Sequence, residues 1–191
     1  METAREKKTL ILNGSPRKNG DTAALLRILD RELAGEKRTV DCYRADIAPC
    51  VDCRACRKAK RCVIDDAMQE IYRYAEDCDN VVVASPVYFS GLTGKLLDVA
   101  SRFQVYYSAR VFLGADPGLR SKRGGVILAG GGDGRPDGAF VTAKLLLRQL
   151  NAREIFPLVC SRNTNALPAA EDAEAAAGVR ELAAFLNAGI R

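Results

Sequence analysis

The chain has 191 residues, enough for one domain that buries roughly two thirds of its unfolded surface. Its composition, 48% hydrophobic and 28% charged, excludes wholesale disorder, and the lack of any His excludes Ser-His-Asp chemistry and His-ligated metals. The net charge of +5 is too small to argue for nucleic acid, no apolar run is long enough to span a membrane, and METAREKKTL has no signal-peptide core, so a cytoplasmic chain is expected.

After the charged leader, Thr9–Asn13 reads as the first strand and residues 14–20 as a turn-rich loop. Asp21 or Thr22 can cap a helix to about Leu33, with Leu25, Leu26, Ile28 and Leu29 facing inward. Thr39–Arg44 reads as a second strand, followed by a Cys-rich loop over about 46–62. Asp65 or Asp66 opens the next helix, with Met68, Ile71 and Tyr72 near core spacing. Asn80–Ala84 carries three consecutive valines, the signature of a strand covered on both faces. One helix is expected from Gly91 to about Tyr107, and Gly125–Ala129 reads as the fourth strand. A helix over Ala139–Leu150, a strand over Arg153–Val159 and a helix over Ala169–Leu186 complete the chain, with Pro168 suited to the first turn of the last helix. Five strands alternating with helices predict a single-domain α/β protein over 1–191. Its open parallel sheet has helices on both faces and the flavodoxin-like order 2-1-3-4-5.

Three loops after strands carry the binding signals. The first is NGSPRKNGDT: Gly14 and Gly20 permit close backbone approach, Ser15, Asn19 and Thr22 can donate to phosphate oxygens, and Arg17 adds charge. The following helix start favours an anion. Neither GxGxxG nor GxxxxGK[ST] is present, so the dinucleotide and ATPase fingerprints are not supported. The second is Ser85–Ser90, where Pro86, Val87, Tyr88 and Phe89 offer backbone edges and aromatic cover for a flat ring. The third is the run Gly130, Gly131, Gly132, Asp133, Gly134, which suits a ligand edge, a mobile lid or a plain turn.

LNGSPRKNGDT at 12–22, DDAM at 65–68, SPVYFSG at 85–91 and the glycine loop at 130, in that order and spacing, resemble the NADPH-dependent FMN reductase superfamily. The resemblance implies that Ser15, Arg17, Asn19 and Thr22 hold the FMN phosphate. It also places Pro86, Val87, Tyr88 and Phe89 along the isoalloxazine and ribityl groups, with the Gly130–Gly132 backbone near the ring. Many relatives carry Leu-Lys and then Asp-Arg in the helix after SPVY. Here Leu96-Leu97 and Ser101-Arg102 stand instead, so Arg102 remains without its expected neighbouring acid.

Four of the seven cysteines fall within thirteen residues, Cys50, Cys53, Cys56 and Cys62, in the pattern C-x2-C-x2-C-x5-C. Four soft thiolates this close suit one [4Fe–4S] cluster, zinc, or a set of free redox-active thiols. Arg54, Arg57, Lys58, Lys60 and Arg61 would offset an anionic cluster and attract an acidic electron-transfer partner. The same run lacks interleaved aromatics, so no nucleic-acid partner is expected. The pattern is similar to that of iron–sulfur flavoproteins, a branch of the same superfamily. That resemblance implies electron passage between a ferredoxin-like donor, a cluster and FMN in a homodimer or homotetramer. A cluster-free NAD(P)H-dependent reductase and a flavin sensor or shuttle are the competing readings. Cys42, Cys78 and Cys160 read as small hydrophobes. Tyr106, Tyr107, Val111, Phe112 and Leu113 are core or interface candidates.

Overall fold

The computed structural model describes residues 5–132 and 135–189; Asp133 and Gly134, part of the expected glycine loop, lie outside the described residues. Parallel strands β1 (Lys8–Asn13), β2 (Glu36–Asp41), β3 (Asn80–Pro86), β4 (Lys122–Ala129) and β5 (Ala152–Ile155) form a sheet in the order β2-β1-β3-β4-β5. A short β6 (Val159–Ser161) also pairs with β4. The predicted fold class and order hold.

Alternation along the central strands builds two cores. Leu10, Leu12, Val81, Val83, Val126 and Leu128 face α2 (Met68–Asp77), α3 (Gly94–Arg102), α4 (Gln104–Phe112) and α5 (Asp137–Gln149). Ile11, Val82, Ala84 and Ile127 face α1 (Asp21–Glu32) and α6 (Ala173–Ala188). Both faces are covered, which is why Val81, Val82 and Val83 of β3 and Val126, Ile127, Leu128 and Ala129 of β4 are consecutive apolar residues. No helix among the described residues is long and apolar enough to cross a membrane.

Several boundaries differ from the sequence expectation, each for a local reason. β2 lies three residues earlier than Thr39–Arg44 because its register is set by β1, Lys8 opposite Glu36 through Asn13 opposite Asp41. Only Val40 of this edge strand is buried, so there is little apolar signal to place it. The expected fifth strand is two: Lys122–Gly124 of β4 pair with β5, and Ile127–Ala129 pair with β6. Pro157 sits in the gap, where a missing N–H interrupts the ladder. The single helix expected to Tyr107 starts only at Gly94 and breaks at Phe103. The break lets Phe103 stack on Tyr106 while both meet Tyr72 edge-on.

The helix starts also need correction. Neither Asp21 nor Thr22 caps α1; Gly20 is the N-cap, and the Asp21 carboxylate accepts from Ala169 N at 3.0 Å. α2 begins after Ala67, with Asp66 accepting from Met68 N. Pro168 lies outside α6, which is capped by Asp172 accepting from Ala175 N at 2.9 Å.

Candidate functional site

All strands run parallel, so the loops after β1, β2, β3 and β4 gather at one end of the sheet. The loop after β1 is held open by its neighbours. Gly14 N donates to Ala84 O, and Gly14 O accepts from the Thr93 hydroxyl at 2.8 Å. A Cβ at Gly14 would lie 2.9 Å from Leu96 Cβ, so only glycine admits the start of α3 here. Ser15 is buried, its N–H donates to Asn13 Oδ1, and Arg17 N donates to its hydroxyl. Because no side chain caps α1, its first amides are left for a ligand.

A cavity of about 190 Å³ opens at this point. Ser15, Arg17 and Thr22 line it from the first loop, with Pro16, Gly20 and Asp21. Pro86, Val87 and Tyr88 line it from the second, and Ala129 and Gly131 from the end of β4. Thr164 and Asn165, after β6, complete the wall. The residues expected at a phosphate and those expected at a flat ring therefore meet in one place. Asn19 and Phe89 are exposed and outside this wall. Gly130 and Gly132 are also outside it: Gly130 N donates to Ser161 O, and the carbonyls of both glycines accept from Thr164 and Asn163. Sequence reasoning passed over Thr164 and Asn165. The only signal was indirect, a glycine run whose amides need partners.

The Tyr88–Gly91 turn is backbone-strained. Tyr88 and Gly91 exchange both hydrogen bonds, and Phe89 and Ser90 between them have φ of 51° and 58°. Two successive non-glycine residues in the left-handed region cost of order 1–3 kcal/mol each. Phe89 in this turn is fully exposed and follows Tyr88, which lines the cavity.

A second cavity, about 310 Å³, lies in the loop between β2 and α2. Cys50, Cys53, Cys56 and Cys62 all line it, with Arg54, Arg57, Ser101, Arg102, Ser108 and Phe112. All four thiols are free, as are Cys42, Cys78 and Cys160. Among the described residues no three Cys, Asp or Glu side chains converge closely enough to hold a metal ion. The loop thus assembles the donor set around one cavity without closing it on one point. Asp52 and Arg54 take left-handed φ, 48° and 62°, and lead into the single turn Ala55–Arg57 that packs on α4. Arg57 stacks over Phe112 at 4.3 Å.

The end of α3 anchors both flanks of this loop. Ser101 Oγ accepts from Cys50 N. Arg102, 1% exposed, donates to Ala48 O at 2.8 Å, to Ile64 O at 3.2 Å, and to both Asp66 oxygens at 2.6 and 3.2 Å. Arg102 therefore has its acid, supplied by the DDAM segment rather than by its own helix. Burial works against charge on Asp66, but the Arg102 hydrogen bonds and the Ala48 and Met68 amides outweigh it and hold the carboxyl below its ordinary range. Arg102 is likewise opposed by burial and raised overall by Asp66, with Tyr72 and Cys62 adding to the rise. Burial pushes Cys42 up to about 12 and Cys78 up to about 11, so neither is a thiolate near neutrality.

A family model described as NADPH-dependent FMN reductase matches residues 7–165, most of the chain and both cavities. The chain belongs to that family. Among curated relatives, an iron–sulfur flavoprotein of Archaeoglobus fulgidus is 32% identical over 154 residues, 79% of this chain and 66% of the relative. An iron–sulfur flavoprotein of Methanocaldococcus jannaschii is 29% identical over 126 residues, 64% of this chain and 62% of the relative. The chain thus spans just under two thirds of the length of these curated relatives. Among solved structures, the FMN-dependent NADH-azoreductase of Bacillus anthracis in complex with FMN superposes with a TM-score of 0.68. At 17% identity, with 95% of this chain and 99% of that one covered, it shares the fold with this member of the family.

Proposed function

We propose that the protein is an FMN-dependent oxidoreductase in which a [4Fe–4S] cluster and FMN pass electrons from a ferredoxin-like donor to a small acceptor. Ser15, Arg17, Thr22 and the first amides of α1 would hold the FMN phosphate, with Asn19 closing from the loop's outer side. Pro86, Val87, Tyr88 and Gly131 would lie along the ring, and the exposed Phe89 would shield its edge. Bound FMN supplies the ability to exchange electrons singly or in pairs. The chain's own residues fix its orientation and keep one edge open. Cys50, Cys53, Cys56 and Cys62 would ligate the cluster, and the five basic residues beside them would compensate its charge.

One observation carries this reading: α3 ties the loop after β1 to the cysteine loop. Its N-terminal end meets the first loop through Thr93 and Gly14, and its C-terminal end holds the cysteine loop through Ser101 and Arg102. Nine helical residues span about 13 Å, so two cofactors at its ends would be close and rigidly spaced. The cysteine donor set fits a four-thiolate centre, and the relatives named iron–sulfur flavoproteins support it.

The cluster-free NAD(P)H-dependent reductase is the second reading, favoured by the lack of a converged metal-holding group among the described residues. Strictly anaerobic purification with iron, sulfide and flavin analysis separates the two. The expected result is one FMN and about four irons and four sulfides per chain, with broad visible absorbance beneath the flavin bands. Stoichiometric FMN without iron, bleached directly by NAD(P)H, would establish the second reading instead.

A homodimer or homotetramer fits the exposed apolar side chains of α4. Tyr107, Val111 and Phe112 are 43%, 54% and 45% exposed, while Tyr106 is core. Sedimentation equilibrium at low micromolar concentration should show an assembly, and monomer alone would overturn this.

A further inference from the structure

Arg102 has five N–H donors and uses four. Two pairs from its terminal nitrogens go to Asp66 and to the carbonyls of Ala48 and Ile64. Those carbonyls lie two residues before Cys50 and two residues after Cys62, so the guanidinium ties the two ends of the cysteine loop together. The fifth donor, Nε, is fully buried and has no hydrogen-bond partner among the described residues. Arg102 is itself part of the wall of the four-cysteine cavity.

A buried N–H without an acceptor has given up its water and gained no bond in return, and folded proteins rarely tolerate one without a functional reason. The guanidinium cannot turn to relieve it, because its other four donors fix its plane. The hydroxyls of Ser101, Ser108 and Tyr72 already have partners. The Ser101 hydroxyl donates to Asp98 O and accepts from Cys50 N, and the Ser108 hydroxyl is bonded to Cys56 Sγ at 3.2 Å. The Tyr72 hydroxyl donates to Arg102 O. The same wall presents the four cysteine sulfurs. Cys50 and Cys53 are exposed and Cys56 Sγ is bonded to Ser108, whereas Cys62 is half-buried, lines the wall with Arg102 and stands two residues from Ile64, whose carbonyl Arg102 holds. The Cys62 carbonyl, with that of Ile64, accepts from the Gln69 amide, which fixes this end of the loop.

We propose that the Arg102 Nε–H donates a hydrogen bond to the Cys62 sulfur of the bound cluster, fixing that ligand and raising the cluster's reduction potential. The inference rests on the cluster reading above. Reduction adds negative charge that spreads onto the ligating sulfurs, and a charged donor stabilises the reduced state more than the oxidised one. The Asp66 counter-charge keeps Arg102 in place and moderates the effect. Arg102 would then unite two tasks, closing the loop through its terminal nitrogens and tuning the cluster through Nε.

The test compares wild-type protein with Arg102→Lys, both anaerobically reconstituted, by EPR-monitored redox titration of the cluster. Lysine keeps a positive charge beside Asp66 and lacks the Nε donor. The midpoint of Arg102→Lys is expected to fall by the equivalent of about a tenfold weaker hold on one electron, about 59 mV. Should that variant not fold, wild-type protein grown with arginine labelled with ¹⁵N at Nε is read by pulsed EPR of the reduced cluster. A weak ¹⁵N coupling is expected. Iron-loaded protein with no coupling in the wild type, or with no midpoint shift in a folded Arg102→Lys, would overturn the role of Arg102 and leave the cluster reading standing. A wild type that takes up FMN and no iron would overturn both.

Discussion

Asp66 is the residue on which the cysteine loop turns. Its oxygens accept from Arg102, Ala48 N and Met68 N, so one carboxylate joins the start of the loop, the end of α3 and the first turn of α2. Its pKa is depressed in the folded protein despite burial. The stabilisation linked to that shift is present above the unfolded carboxylate value, about 3.9, and is lost as pH falls through the lower folded value. Asp66→Asn should therefore be destabilised at neutral pH by about 3 kcal/mol, since it leaves Arg102 buried without its counter-charge. The gap from wild type in urea midpoints should begin to narrow below about pH 4, as the unfolded carboxyl takes up its proton, and should keep narrowing until pH falls through the lower folded value. A gap unchanged between pH 7 and pH 3 would show that Asp66 acts by shape alone.

At the scale of elements, legibility in the sequence followed how local each cause was. β1, β3 and the loop between β1 and α1 were readable because an apolar run, a glycine and a hydroxyl-rich turn are neighbours in the chain. The residues Ser15, Arg17, Thr22, Pro86, Val87, Tyr88 and Gly131 all line one cavity. β2 was misplaced because its register belongs to β1, and the break at Phe103 because it serves Tyr72, thirty-one residues earlier. The bonds of Arg102 to Ala48, Ile64 and Asp66 span 54, 38 and 36 residues. No window-based pattern contains such a partnership. Thr164 and Asn165 escaped for the same reason: β6 pairs with β4 across the gap at Pro157, and this carries the following loop to the cavity. The cysteine spacing was plain in the sequence. What it could not convey is that α3, whose start holds the loop after β1, also ends against that cysteine segment.

For the whole molecule, the arrangement of charge argues for how a redox partner would approach. The net charge is only +5, yet Arg54, Arg57, Lys58, Lys60 and Arg61 are all exposed on one short loop. The loop covers the cysteine cavity, while the other cavity opens among the loops after β1, β3 and β4. A positive field confined to one side orients an acidic protein toward that side and adds little elsewhere. With a donor seated on the cysteine cavity, the cavity among the loops after β1, β3 and β4 would stay open to a small molecule, so donor and acceptor need not compete. Lys58 and Lys60 lie outside the cavity wall and suit a test. Reversing both, with Lys58→Glu and Lys60→Glu, should slow second-order reduction by an acidic ferredoxin about tenfold at low salt. It should also remove most of the wild-type loss of rate as ionic strength rises, because at a Debye length of about 8 Å the steering field is already screened. Reduction by dithionite, which needs no docking, should reach the same end point in both proteins. A wild-type rate with the ferredoxin that is indifferent to salt would mean that the basic loop compensates charge inside the molecule and recruits nothing outside it.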